Sequence, residues 1–379
     1  MEKKSNKQFM IFSAITMICV VDAHAWVSMN LMSRYLTYNM FIMPAFIFIS
    51  GYFCVFDKDD SLLKYIKKKV KKLLLPYYIW WFLYALFVLI LNKAFFISIG
   101  GKVTWINLIF GPWISGECWS FNSPSWFVCC LFLVQILYCF LRKVLKNHWN
   151  DVIVFFVLTI LTVLVTDYVT NNEINHNYCN VYRVLLLEWF YHFGVIFRNY
   201  IERWFEKISA TIFCVFCIIV LAFLSQTFYT TDFRFNTLKW SSDNMGIFGI
   251  GSGIYLITVG TIGIAFWLKI SQVLVPALEN STVVNFISNH TFEIMINHIV
   301  FMWLFNLLLV KINGFKSLIN FDINEAICRP WYRWLDSKWS NLMYFICGMA
   351  GAMLVAFFTD KFKDKWKGTL FFQKSLKKK

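Results

Sequence analysis

Apolar runs of about twenty residues recur along this chain, each long enough to cross the roughly 30 Å hydrocarbon core of a bilayer as a helix. They lie near residues 8–28, 39–56, 73–96, 124–141, 151–169, 181–197, 209–227, 247–269, 291–312 and 341–358. The pattern predicts an all-α, polytopic integral membrane bundle of about ten transmembrane helices. Its single membrane domain would cover residues 1–379, with a short segment at 1–7 and a basic tail at 359–379. A 379-residue chain that is 59% hydrophobic and 15% charged has more apolar surface than one soluble core can hide. The expected partner is therefore a lipid bilayer. Many of the 42 Phe, 17 Trp and 17 Tyr sit at the ends of apolar runs, where aromatic belts form.

A net charge of +15 raises the question of nucleic acid, and the distribution of that charge excludes it. Lys and Arg cluster in short segments between apolar runs, as in membrane proteins. If both termini are cytoplasmic, the segments on that side carry 25 of the 36 Lys and Arg. The positive-inside rule thus predicts cytoplasmic N- and C-termini. The first apolar run lacks a small-residue cleavage site and is followed by further membrane segments, so no cleavable signal peptide is expected. The eleven cysteines lie mostly in apolar segments. Even Cys214-x-x-Cys217, with redox or zinc spacing, sits within an apolar helix without a second pair and reads as packing. No metal site is expected.

Three outer connections are long: 97–123, 228–246 and 313–340. Loops of that size on one face can shape a substrate entrance. Gly249 and Gly253 form a small-xxx-small step that reads as helix packing. Ionisable side chains inside spans are candidate site residues, because lipid makes them expensive. They fall in three places: Asp22 and His24 near the outer end of the first span; Arg183, Glu188 and His192 on the sixth; and Glu293, Asn297 and His298 on the ninth. Glu188 and His192 are four apart and share a helical face. Lys64, Lys67, Lys68, Lys69, Lys71 and Lys72 crowd the loop before the third span, where headgroup anchoring is the plain alternative to phosphate binding.

Several of these segments together resemble the membrane acyltransferase-3 family. His24 after an apolar run, followed by Phe41-Ile42-Met43-Pro44-Ala45-Phe46-Ile47-Phe48-Ile49-Ser50-Gly51-Tyr52-Phe53, resembles its start. Lys69-Val70-Lys71-Lys72-Leu73-Leu74-Leu75-Pro76-Tyr77 is similar to its basic-x-x-basic motif with a proline four residues on. Ser125-Trp126-Phe127 is similar to its Trp-Phe-Leu segment, and Asn289-His290-Thr291 through His298 to its late Asn-x-Ser/Thr…His helix. The nearest branch in flavour is that of sugar O-acetylases. The resemblance implies an acetyl-CoA donor, a glycan or lipid-linked saccharide acceptor, and a bacterial cytoplasmic membrane. It also implies catalysis at His24, as general base or acyl-accepting residue, and donor phosphates near Lys69 and Lys72. Histidine suits the role because its unperturbed pKa of about 6.5 lies near working pH. One departure is Ser13, which stands where the family carries a basic residue with ten residues intervening before the histidine.

Helical rise gives expectations for which residues meet. Counted from Gln8, His24 lies about 24 Å deep, whereas His298 counted from Thr291 lies about 10 Å deep from the same face. That count sets the two histidines apart. It makes Glu188 or Asp22 the carboxylate partner of His24, and places His192 with His298 along a donor-side path. The competing classes are a membrane transporter or flippase of glycan precursors, for which no internal repeat is visible, and a catalytically decayed family member.

Overall fold

The computed structural model describes residues 4–26, 38–56, 60–95, 99–145, 151–227, 233–240, 251–334 and 338–376. Among these residues the fold is all-α apart from a two-stranded hairpin, β1 (Phe233–Arg234) and β2 (Lys239–Trp240), paired antiparallel. The long helices are α1 (Lys4–Ala25), α4 (Leu75–Phe95), α7 (Trp126–Leu145), α8 (Asp151–Asn171), α9 (Cys179–Ile196), α11 (Ala210–Thr227), α12 (Gly251–Leu278), α14 (Thr291–Asn313) and α16 (Lys338–Leu376). Shorter ones are α2 (Tyr38–Tyr52), α3 (Leu62–Lys69), α5 (Trp105–Ile109), α6 (Gly111–Ile114), α10 (Glu202–Lys207), α13 (Thr282–Asn289) and α15 (Ile323–Cys328). Among the described residues, seven helical segments are long and apolar enough to cross a membrane. The segment Cys179–Lys207 with Ala210–Leu224, bent by 110°, makes an eighth, and Met40–Tyr52 is a shorter apolar helix.

Among the described residues, two helices carry a wider π turn. At Val70–Leu74, between α3 and α4, the cause is readable: Pro76 has no N–H to give the carbonyl of Lys72 four residues back, and its ring crowds that carbonyl. The backbone widens instead, and Leu75 N–H donates five residues back to Val70. A second π turn at Phe197–Ile201 joins α9 to α10.

α2 packs against α9 at very short range, because glycines face each other's backbone there. A Cβ on Gly51 would stand 2.0 Å from the Tyr191 carbonyl oxygen, and one on Gly194 2.3 Å from that of Phe48. Gly253 likewise lies against the Val163 backbone, so its packing role holds; Gly249 is outside the described residues. α1, α9 and α14 are largely enclosed. α4, α8 and α11 turn rows such as Ile79, Phe82, Leu86 and Ile212, Phe216, Ile219 outward. Such rows belong against lipid.

Polar contacts define the two ends of the bundle. At one end Lys7 pairs with Glu279 (2.7 Å), Lys269 Nζ donates to the Phe205 carbonyl (2.6 Å), and Arg142 pairs with Asp151 (2.6 Å). The start of α1 lies at this end, and His290 meets Asp360 of α16 (2.5 Å) one short helix, α13, further in. The other end carries the connections from 99 to 125, the hairpin, and 314 to 334.

Candidate active site

His24 occupies the last turn of α1, which closes at Trp26 in a left-handed conformation (φ 60°). Beside it opens a cavity of about 780 Å³, within the range of small-molecule sites. Asp22, His24 and Trp26 of the α1 terminus line it with Ile42 and Met43 of α2, Glu117 of the long connection, Trp126 at the start of α7, Arg234 and Asn236 of the hairpin, and Trp331. Three chain segments that are distant in sequence thus converge on the end of the first helix.

His298 stacks directly on His24, with ring centroids 5.1 Å apart and planes 20° apart. The depth count placed these residues apart, and the structure corrects it. The reason is α13. This eight-residue helix follows the end of α12 and packs along α1, so α14 begins one helical segment deeper than a count from the membrane face assumes. Eight residues add about 12 Å to the 10 Å already counted, which brings His298 to about 22 Å, beside His24 at about 24 Å. His298 is fully buried, and its Nδ1 lies 3.0 Å from the Ile294 carbonyl. A carbonyl only accepts, so Nδ1 carries the proton and the Nε2 lone pair is the ring's basic position. Among the described residues that Nε2 has no hydrogen-bond partner.

The opposite wall is organised by Arg183 on α9, which is fully buried. Its Nε donates to the Phe235 carbonyl (2.9 Å), Nη1 to the Ser115 carbonyl (2.7 Å) and Asn180 Oδ1 (2.8 Å), and Nη2 to Glu117 Oε1 (3.2 Å) and the Asn236 carbonyl (2.5 Å). The guanidinium also lies 4.4 Å from the Trp126 ring. One side chain therefore fastens both the 111–125 connection and the hairpin to α9. Burial raises the Glu117 carboxyl to about 7, although the Arg183 charge acts in the opposite direction.

A second arginine stabilises the His24 side. Arg333, 7% exposed, donates from Nε to the His24 carbonyl (3.0 Å) and from Nη1 to the carbonyls of Pro330 (2.9 Å) and Tyr332 (2.7 Å). Its Nη2 reaches Met302 Sδ (3.0 Å) on α14. Burial lowers Arg333 to about 10, which leaves it a cation at neutral pH. Trp331, two residues earlier, sets its ring 5.0 Å from that of His24, edge to face.

The remaining expected site residues are distributed differently. Asp22 is buried and lines the cavity with His24. Glu188 does not line it: α2 packs between α1 and α9, and Glu188 is enclosed on α9 without a hydrogen-bond partner among the described residues. The expectation that Glu188 orients His24 is corrected accordingly. His192 is also separate from His298. Its Nε2 meets the Asp151 carbonyl (3.1 Å), and its ring packs near Tyr138 and Phe155 at the end away from the cavity. Lys69 and Lys72 are at that end too. Lys69 Nζ lies 5.1 Å from the Tyr65 ring, and Lys72 is exposed on the π turn. Glu117, Arg234, Trp331 and Arg333 escaped the sequence reading because they sit in irregular connections, where no periodicity marks a buried or converging side chain.

No curated protein and no solved structure matches the chain. A family described as an acyltransferase domain, acyltransferase-3, matches residues 12–361. That span takes in α1 with His24, the basic segment of α3, the connections around the cavity and α14 with His298. The chain accordingly belongs to the acyltransferase-3 family and is an integral membrane acyltransferase.

Proposed function

We propose that this protein transfers an acetyl group from acetyl-CoA to a hydroxyl of a cell-surface or lipid-linked glycan, with His24 as the base. The observation that carries the proposal is His24, stacked on the buried His298, at the wall of an open cavity of about 780 Å³ that Asp22, Glu117 and Arg234 also line. His24 takes the proton of the acceptor hydroxyl as its oxygen attacks the thioester carbonyl; the C–S bond breaks, and the coenzyme A thiolate leaves as the thiol by taking that same proton back from His24. The imidazolium formed for that moment has Asp22 on the same helical turn. On this reading ten helices cross a bacterial cytoplasmic membrane with both termini inside. Lys69 and Lys72 then meet the donor phosphates at the cytoplasmic end. The acceptor enters from the opposite face, where the long connections gather.

The test is expression of the chain and of His24→Ala at matched membrane levels, with ester-linked acetyl on surface glycan measured by mass spectrometry. Acetyl that appears with the wild type and disappears with the variant supports the reading. Acetyl in both moves the base to His298. Acetyl in neither, with folded protein and native glycan present, overturns the reading.

A further inference from the structure

Among the described residues three arginines lie at or behind the cavity wall, and two of them are engaged by the protein. Arg183 spends its donors on four carbonyl or amide oxygens and on Glu117, and Arg333 is held by three carbonyls and a thioether. Arg234 differs. It stands on β1 at the cavity wall, exposed, and no side-chain ion pair or hydrogen bond engages it among the described residues. Its backbone is fixed, because its carbonyl accepts from Thr237 (3.2 Å) and Leu238 (2.7 Å) in the hairpin turn. Among the described residues two acidic side chains share this wall, and neither is paired with Arg234: Glu117 is bonded to Arg183, and Asp22 is buried on α1.

A fixed backbone carrying an unengaged guanidinium beside a site for a hydroxylated ligand is a receptor for an anion. We propose that Arg234 binds an anionic group of the acceptor, so that the enzyme acts on an acidic saccharide. The group is a carboxylate or a phosphate, since either offers the paired oxygens a guanidinium accepts. The sugar ring rests against Trp331, which is 40% exposed and already positioned on His24, and this brings a hydroxyl to the histidine. The inference builds on the acetyl-transfer reading, and its test is made independent of that reaction by omitting the donor.

The experiment measures binding of methyl glucuronide, glucose 6-phosphate and methyl glucoside to the detergent-solubilised full chain by titration calorimetry, without acetyl-CoA. One acidic probe should bind about tenfold tighter than the neutral one, the factor expected from one charge-assisted contact. The preferred acidic probe distinguishes carboxylate from phosphate. Arg234→Gln should abolish the preference, Arg234→Lys should retain part of it, and raised ionic strength should shrink it. Because Arg234 is exposed, neither substitution disturbs the core. Equal affinity for the three probes, no measurable binding of any, or a preference that survives in Arg234→Gln overturns the inference. If the preference fails while His24-dependent acetyl transfer holds, only the acidic acceptor is lost; if the preference holds without transfer, the acetyl-transfer reading falls alone.

Discussion

Arg333→Met tests whether the end of α1 must be held in place for transfer. The carbonyls in the last turn of a helix lack intrahelical partners, and the Arg333 Nε at 3.0 Å supplies one for His24. The substitution removes three bonds to carbonyls and leaves a side chain of similar length. Charge-assisted bonds contribute about 1.5 kcal/mol each, and water can recover part of the two within the 330–334 segment, so a loss of about 3 kcal/mol is expected. The effect on rate should exceed the effect on folding. Freed from Arg333, the final turn of α1 can shift by about 1 Å against His298, a displacement that reduces rates on the order of 100-fold. The assay compares acetyl transfer by purified wild type, Arg333→Met and Arg333→Lys, with thermal melting measured on the same samples. The expected pattern is a fall in kcat with little change in the KM for acetyl-CoA, and partial rescue by Lys, whose ammonium reaches the His24 carbonyl without the guanidinium fork. A folded Arg333→Met that keeps kcat within about threefold would refute the positioning role. Should that variant not accumulate, Arg333→Lys decides by its kcat.

Glu117 gives a pH signature: its carboxyl rises from an ordinary 4.5 to about 7, so its proton binding favours the fold below about pH 4.5 and that stability is lost as pH rises through 7. Glu117→Gln should flatten melting temperature against pH across this window, removing a pH-dependent contribution that totals up to about 3 kcal/mol. Gly194→Ala should lower the melting temperature, with a loss of about 3 kcal/mol, because the new Cβ meets the Phe48 oxygen at 2.3 Å and the Tyr52 nitrogen at 2.7 Å and forces α2 from α9. Lys69→Gln with Lys72→Gln should raise the KM for acetyl-CoA about tenfold at unchanged kcat, measured at low ionic strength. Glu188→Gln should leave kcat within about threefold and raise the melting temperature, since it replaces a buried carboxyl that has no hydrogen-bond partner among the described residues with a neutral amide; loss of transfer in a folded variant would return Glu188 to the mechanism.

The helical architecture was legible because lipid imposes one simple demand on each crossing segment, a long apolar run, and the runs coincide with α1, α4, α7, α8, α12, α14 and α16. The Lys-x-x-Lys segment with Pro76 also carried its own geometry, since a proline four residues after Lys72 opens a π turn. His24 and His298 were each legible as residues, but their meeting was not. It depends on α13, eight residues between two apolar runs, which a count from the membrane face treats as loop. The i, i+4 spacing of Glu188 and His192 gave a true shared face and a wrong partner, because spacing along one helix says nothing of the helix α2 that packs in between. Arg183 was visible as an intramembrane cation, but the residues it gathers come from connections whose return to the bundle leaves no periodic trace.

The separation of the two ends sets the main physical demand on transfer. Lys72 lies below the start of α4, while Val88, sixteen residues on, is level with Gly100 of the cavity-end connection. The helical rise between them is about 24 Å, comparable to the depth of His24 on α1. On the proposed reading the donor phosphates stay at the basic end, so a thin, flexible arm must reach along this length before its thioester meets the acceptor hydroxyl. A charged headgroup could not make that passage through an apolar interior without a large desolvation cost, whereas an acyl thioester can. Holding the phosphates at one end and the base at the other would thus select a long donor over a short acyl phosphate. Acetyl phosphate, with its anionic group next to the acyl carbon, should give no transfer under conditions where acetyl-CoA is used; comparable rates with both would mean that the acyl group does not travel from the basic end at all.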